Sequence, residues 1–126
     1  MKVIDNLLYT KEHEWLKIKD NLIYIGITDF AQGELGDIIF IEFSPLNDSI
    51  ETGGTIATIE AVKTVADVYS PLSGKIVEIN NLIEKQPDLI NTDPYGNGWI
   101  ACIESPLSID SLSTFTSKEY LDFIGK

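Results

Sequence analysis

Apolar and polar side chains alternate along Glu14-Trp15-Leu16-Lys17-Ile18-Lys19, and a second run from Leu22 to Ile27 follows the turn-forming pair Asp20-Asn21. That pattern predicts a β-hairpin. Asp29 is placed to cap a short helix through Gln32 to Leu35 (residues 29–35), with Gly36 positioned to end it. Ile38 to Phe43 then reads as a buried strand, and further strands are predicted near 55–60, 65–69, 74–80 and 99–104. Near the C-terminus Ser105-Pro106 suits a helix start, and Thr116 with Glu119 forms a capping box ahead of Tyr120, Phe123 and Ile124. The pattern predicts a mainly β protein with C-terminal helices.

The strand candidates repeat. Gly36-Asp37-Ile38-Ile39-Phe40-Ile41 is similar to Gly74-Lys75-Ile76-Val77-Glu78-Ile79, and Ile56-Ala57-Thr58-Ile59-Glu60 is similar to Ile100-Ala101-Cys102-Ile103-Glu104, in the same order. Two matched pairs in order predict a duplicated β unit with quasi-twofold symmetry, closed into a flattened β-barrel or sandwich. The first repeat runs through Glu60 into Ala61-Val62-Lys63-Thr64 before strand character resumes at Val65, which places Lys63 at a hairpin tip. A lone surface lysine is ordinarily a solvated charge, so only its surroundings give it meaning.

With 126 residues, 44% of them apolar, the chain has material for one modest core, and a single domain over 1–126 with a C-terminal helical extension is expected. The longest apolar runs, such as Ile38 to Ile41, are strand-length, far short of the roughly 18 residues that span a bilayer. No membrane partner is expected. Met1-Lys2-Val3-Ile4-Asp5 lacks a signal core or a transit pattern, which points to a cytoplasmic address, or to an organelle matrix if a presequence has been removed. Twenty acidic against nine basic residues give a formal charge of −11, which repels nucleic acid. The same charge serves solubility or steers the protein toward basic docking sites. One cysteine, Cys102, excludes an internal disulfide, and with one histidine, His13, a Cys/His zinc site lacks ligands. No metal is expected.

The segment from Glu60 through Lys63 to Asp67 and Ser70-Pro71-Leu72-Ser73-Gly74 resembles the lipoyl attachment segment of glycine cleavage H proteins, which typically reads Glu-Ser-Val-Lys-Ala, then an Asp and a Ser-Pro-x-Ser-Gly turn. Tyr9 to Trp15, Gly26 to Gln32, Leu35 to Ile38 and Asp93 to Trp99 also resemble that family, in family order, so the likeness covers nearly the whole chain. Biotin domains usually place methionines around their lysine, where this chain has Val62 and Thr64. Ala61 replaces the family's usual small hydroxyl residue, Thr64 replaces alanine, and Asn47-Asp48 stands where Gly-Asp is common.

The resemblance implies covalent lipoate on Lys63, with Glu60 and Val62 read by the lipoylating enzyme, either a lipoate ligase or a lipoyl/octanoyl transferase. By bond counting the arm reaches on the order of 14 Å from the backbone. It further implies that the arm takes the aminomethyl group of glycine from a decarboxylase (P protein), yields it to a folate-dependent aminomethyltransferase (T protein), and is reoxidised by dihydrolipoyl dehydrogenase (L protein). The chain is then a carrier and not itself an enzyme. The loaded arm would shelter in a cleft whose acids hold its cationic amine, with Glu14 and Asp67 at the matching positions and Glu12 and His13 as further candidates. A carrier visiting three active sites is expected to be a monomer.

Other readings remain open at this point. An H-like relay protein that donates lipoyl groups to other complexes would carry the same hairpin, and an unmodified β-sandwich interaction module would carry a bare Lys63. A stand-alone enzyme lacks a nucleophilic triad or paired carboxylates at a telling spacing. His13 reads as a structural residue beside the cleft, Cys102 as a buried small hydrophobe, and Pro94-Tyr95-Gly96-Asn97-Gly98 as a tight turn into the strand at Trp99, not a phosphate loop.

Overall fold

A computed structural model describes residues 2–106 and 114–126. The predicted hairpin is present as β2 (Glu14–Lys19) and β3 (Leu22–Ile27), preceded by a short β1 (Leu8–Tyr9) that pairs with β2. At its turn Asp20 adopts φ 56°, a left-handed conformation that Asp tolerates better than most residues. Both faces of β2 are covered at its start. Leu16 enters the main core, while Trp15 points to the other side beside Tyr9 and Tyr120. The simple alternation fails at the hairpin end, where Ile18 stays 39% exposed because no layer covers that tip.

Helix α1 (Asp29–Leu35) has the expected bounds but a different cap. Thr28, in extended conformation, accepts the Ala31 N–H at 3.1 Å, whereas Asp29 sits in the first turn and accepts from Gln32 Nε2 at 2.7 Å. Gly36 ends the helix at φ 76°, where a side chain would be strained. Strand β4 (Ile38–Phe43) follows, with β5 (Ser49–Ile50), β6 (Thr55–Ala61), β7 (Val65–Tyr69) and β8 (Gly74–Ile79). One-turn helices α2 (Leu82–Lys85) and α3 (Leu89–Thr92), which the hydrophobic pattern did not reveal, lead to β9 (Ala101–Glu104). Helix α4 (Ser117–Phe123) carries the complete Thr116/Glu119 capping box. A helix begun by Ser105-Pro106 would lie outside the described residues.

The strands form two antiparallel sheets, one ordered β1-β2-β3-β9-β8-β5 and the other β4-β6-β7. Ile23, Ile25, Ile76 and Ile103 of the first meet Ile41, Ile56, Ile59 and Val68 of the second in a shared core, closed by Leu72, Ile83 and Ile90 from the connections. Each sequence repeat supplies one antiparallel pair, β4 with β6 and β8 with β9, in different sheets. Both pairs break register at matching places, between Ile38 and Phe40 and between Ile76 and Glu78. The pairings themselves differ: Ile41 faces Ile59, but Ile79 faces Ala101 instead of Ile103. The offset is two residues, one full strand period, so the isoleucines still point inward.

Two expectations about these strands need correction. β4 is only half-buried, with Ile39 58% and Phe40 46% exposed, because its outer face meets solvent. The last strand starts at Ala101, not Trp99; the turn through Gly96 and Gly98 is held by Asp93, whose carboxylate accepts the Asn97 N–H at 2.8 Å and whose carbonyl accepts that of Gly98 at 2.9 Å. Cys102 is fully buried, as its strand pattern implied. The far face of the six-stranded sheet carries a second, aromatic cluster in which the Tyr9 and Tyr120 rings stack at 4.8 Å and Trp15 Nε1 donates to the Pro94 carbonyl at 2.9 Å. No buried side-chain polar atom among the described residues lacks a partner.

Candidate functional site

The β6–β7 hairpin turns through Val62, Lys63 and Thr64, closed by the Ala61 N–H donating to the Thr64 carbonyl at 2.8 Å and tied to α1's exit by the Val62 N–H donating to the Asp37 carbonyl at 3.0 Å. Ala61 is buried in the core while Val62, Lys63 and Thr64 are exposed. The lysine is therefore held on a short, anchored tip with its ammonium free to extend. Asn47, where the H-protein pattern often has glycine, adopts φ 71°, and asparagine is among the few side chains that accept this conformation.

Strand β7 leads from this tip along a cleft of about 410 Å³ between the two sheets. Its floor is apolar, made by Ile27 of β3, Phe30 and Leu35 of α1, Ile59 of β6 and Val68 of β7; Glu12, Glu34 and Asp67 supply three carboxylates and His13 a ring. A volume in the few-hundred Å³ range suits a small organic group. Asp67, at the cleft border, is exposed and its carboxylate accepts the Thr58 hydroxyl at 2.8 Å.

Glu14 and Asp67 do not share this cleft. Glu14 lines an adjoining cavity of about 620 Å³ with Thr10, Thr52, Gly53 and Tyr69, and Glu12 borders both. The separation has a local cause: His13 adopts φ 66°, and this left-handed turn sends Glu12 outward and Glu14 into the interior. Only 2% exposed, the Glu14 carboxylate accepts the Tyr69 N–H at 2.7 Å and the Thr10 hydroxyl at 3.2 Å. Burial outweighs these two hydrogen bonds and pushes its pKa from 4.5 up to about 7.

His13 is held by contacts on both sides. Its Nδ1 lies 2.9 Å from the Tyr120 hydroxyl, which in turn lies 2.8 Å from the Thr28 hydroxyl that caps α1. Its ring packs against Phe30 at 5.0 Å. Burial lowers the histidine pKa, opposed by the Glu12 and Glu34 charges. Through the Tyr120 hydroxyl the ring links α4 to the cap of the helix that walls the cleft. Sequence reasoning missed Phe30, Glu34, Tyr120 and Asn91. Asn91 accepts the Ile38 N–H at 2.9 Å and donates to the Gly36 carbonyl at 2.9 Å, pinning α1's exit to β4. Phe30 lay inside a recognised segment, but nothing local marked the others.

A two-sheet sandwich that displays one lysine on a hairpin, beside an apolar cleft with an acidic border, defines a carrier domain of the lipoyl kind. Residues 7–125 match the family model for the glycine cleavage H-protein, and the chain belongs to that family. It is 51% identical to the glycine cleavage system H protein of Coprothermobacter proteolyticus, with both chains covered in full. It is 46% identical to that of Listeria monocytogenes serotype 4a, covering 95% of this chain and 96% of the relative. The crystal structure of a glycine cleavage system H protein from Mycobacterium marinum superposes with a TM-score of 0.90 at 32% identity, over 98% of this chain and all of the other.

Proposed function

We propose that the chain carries lipoate on Lys63 and shuttles the aminomethyl group of glycine between the P protein and the T protein, with reoxidation by the L protein. The single observation that supports this most strongly is the pairing of an apolar floor with acids in one cleft within reach of Lys63. Asp67 follows Lys63 by four positions along the chain, a span of about 13 Å at the usual strand rise. The arm's reach is on the order of 14 Å. Bound lipoate supplies a disulfide that takes up the aminomethyl unit as it is reduced.

The chain's own residues do the rest. Ile27, Phe30, Leu35 and Val68 exclude water from an aliphatic arm, and Asp67 with Glu12 pairs with a protonated amine at the cleft mouth. Glu34 adds to the negative potential there. Glu14 is the inner acid of the adjoining cavity, reached past Glu12, and near neutrality it is divided between charged and neutral forms. The three cleft carboxylates favour glycine turnover over a pure lipoyl relay, whose uncharged dithiolane has no use for them. No helix among the described residues is long and apolar enough to cross a membrane. We further propose a monomer, which sedimentation at micromolar concentration tests directly.

The decisive experiment is intact mass after incubation with lipoate, ATP and a lipoate ligase, beside a Lys63→Arg control. One lipoyl group on the native chain and none on the variant is expected; the loaded chain should then support glycine decarboxylation by P protein. A native chain that gains no mass would overturn the carrier reading.

A further inference from the structure

The three-stranded sheet turns one face to the core and the other to solvent. Register places Phe40, Glu60 and Val65 in one row across β4, β6 and β7, and Glu42, Thr58 and Asp67 in the next row on the same outer face. Four of the large apolar side chains most exposed among the described residues gather at the Lys63 end: Ile39 at 58%, Phe40 at 46%, Val62 at 65% and Val65 at 60%. The β4 bulge is the cause. It leaves Ile39 without a partner on β6 and lets two successive apolar residues reach solvent.

The internal repeat supplies a control within the molecule. At the matching bulge of β8 the corresponding residues are Val77, which is half-buried, and Glu78, which is charged. The exposed apolar pair thus occurs in the repeat that carries the lysine and not in its copy. Around it stand Asp37, Glu42, Glu60 and Asp67, all exposed, with Lys63 the one cation among the residues of this face.

We propose that the outer face of β4, β6 and β7, with Ile39 and Phe40 at its apolar centre and Glu42 and Glu60 at its acidic border, docks the enzyme that acylates Lys63. Its entrance would present an apolar recess ringed by Arg or Lys. The proposal rests on Lys63 being the attachment site. Reach singles out this occupant. The lysine Nζ extends only about 6 Å from its Cα, against about 14 Å for the loaded arm, so the acylating enzyme must approach the hairpin more closely than any enzyme that works on the dithiolane. Neighbouring strands lie about 4.8 Å apart, which puts Phe40, one strand from Glu60, under any such footprint. In the transfer, the Nζ ammonium first gives one proton to solvent and its lone pair then forms an amide bond with the carbonyl carbon of an acyl adenylate; the acyl–phosphate C–O bond breaks, AMP leaves with that electron pair, and the second proton lost from nitrogen passes to solvent. A basic entrance suits both the acidic border and the phosphate of the departing AMP.

The test measures initial rates of lipoylation by intact mass, with purified lipoate ligase, lipoate and ATP, for the native chain, Phe40→Ala, Glu42→Lys and the remote exposed control Ile18→Ser. Each of the first two variants should lower kcat/KM at least tenfold through KM, and added NaCl should slow the native chain more than Glu42→Lys; Ile18→Ser should match the native chain. Circular dichroism melting identifies any variant that has lost its fold, and Glu42→Lys at an exposed site stands independently of Phe40→Ala. Native kcat/KM in both variants overturns the docking surface and leaves Lys63 as the attachment site. No lipoylation of the native chain overturns both. A native dimer abolished by Phe40→Ala assigns the face to a second copy of the chain and overturns the proposal.

Discussion

Replacing Glu14 with glutamine should make the protein less sensitive to rising pH. Glu14 is 2% exposed and its pKa is raised from 4.5 to about 7, chiefly by burial. The folded state therefore holds a proton that the unfolded chain has released between these two values. Stability is fully retained below about pH 4.5 and falls as pH rises toward 7, the opposite of the usual salt-bridged carboxylate. A shift of this size corresponds to about 3 kcal/mol in total, of which about 2.5 kcal/mol is lost between pH 5 and pH 8. Glutamine keeps the shape and an oxygen to accept the Tyr69 N–H, but does not ionise. Urea unfolding of both proteins across this range gives the difference in stability at each pH. His13, whose lowered pKa gives the opposite slope, is common to both and cancels. The variant should gain about 2.5 kcal/mol on the native chain from pH 5 to pH 8, whatever fixed cost the amide imposes. Parallel curves would refute the reasoning, showing that water or structural relaxation removes the burial penalty.

Gly26→Ala should be among the most damaging single substitutions, costing on the order of 1–3 kcal/mol or more, because a Cβ there would lie 2.5 Å from the Trp15 ring directly across the hairpin; chemical denaturation measures it. Tyr120→Phe removes the hydroxyl between His13 Nδ1 and Thr28 Oγ1 and should cost about 1–2 kcal/mol, with raised hydrogen exchange at the start of α1 as the local signature. Asp67→Asn combined with Glu12→Gln, once lipoylated, should shorten the lifetime of the aminomethyl-loaded form several-fold, read by ammonia release without T protein; an unchanged lifetime would mean that the apolar floor alone provides shelter.

The periodicity of the chain and its end signals determined much of this protein on their own. The β2–β3 hairpin, the bounds of α1, the Thr116/Glu119 box and the tip position of Lys63 are set by contacts between residues near in sequence, and local chemistry encodes them. The repeat likewise announced two similar strand pairs. Tertiary structure decided which acids stand together. Glu12 and Glu14 lie two residues apart, and a strand pattern would aim them the same way; the left-handed turn at His13 separates them, placing one at the cleft with Asp67 and burying the other against Tyr69. Glu34 joins the cleft only because α1 faces Ile27 of β3 and Val68 of β7 across it, and Tyr120 reaches His13 across 107 residues because its ring, on α4, stacks on Tyr9. The exposure of Ile39 and Phe40 depends on a bulge that becomes visible only when β4 is paired with β6. Contacts of this range depend on how separate elements pack, and no window of sequence contains both partners.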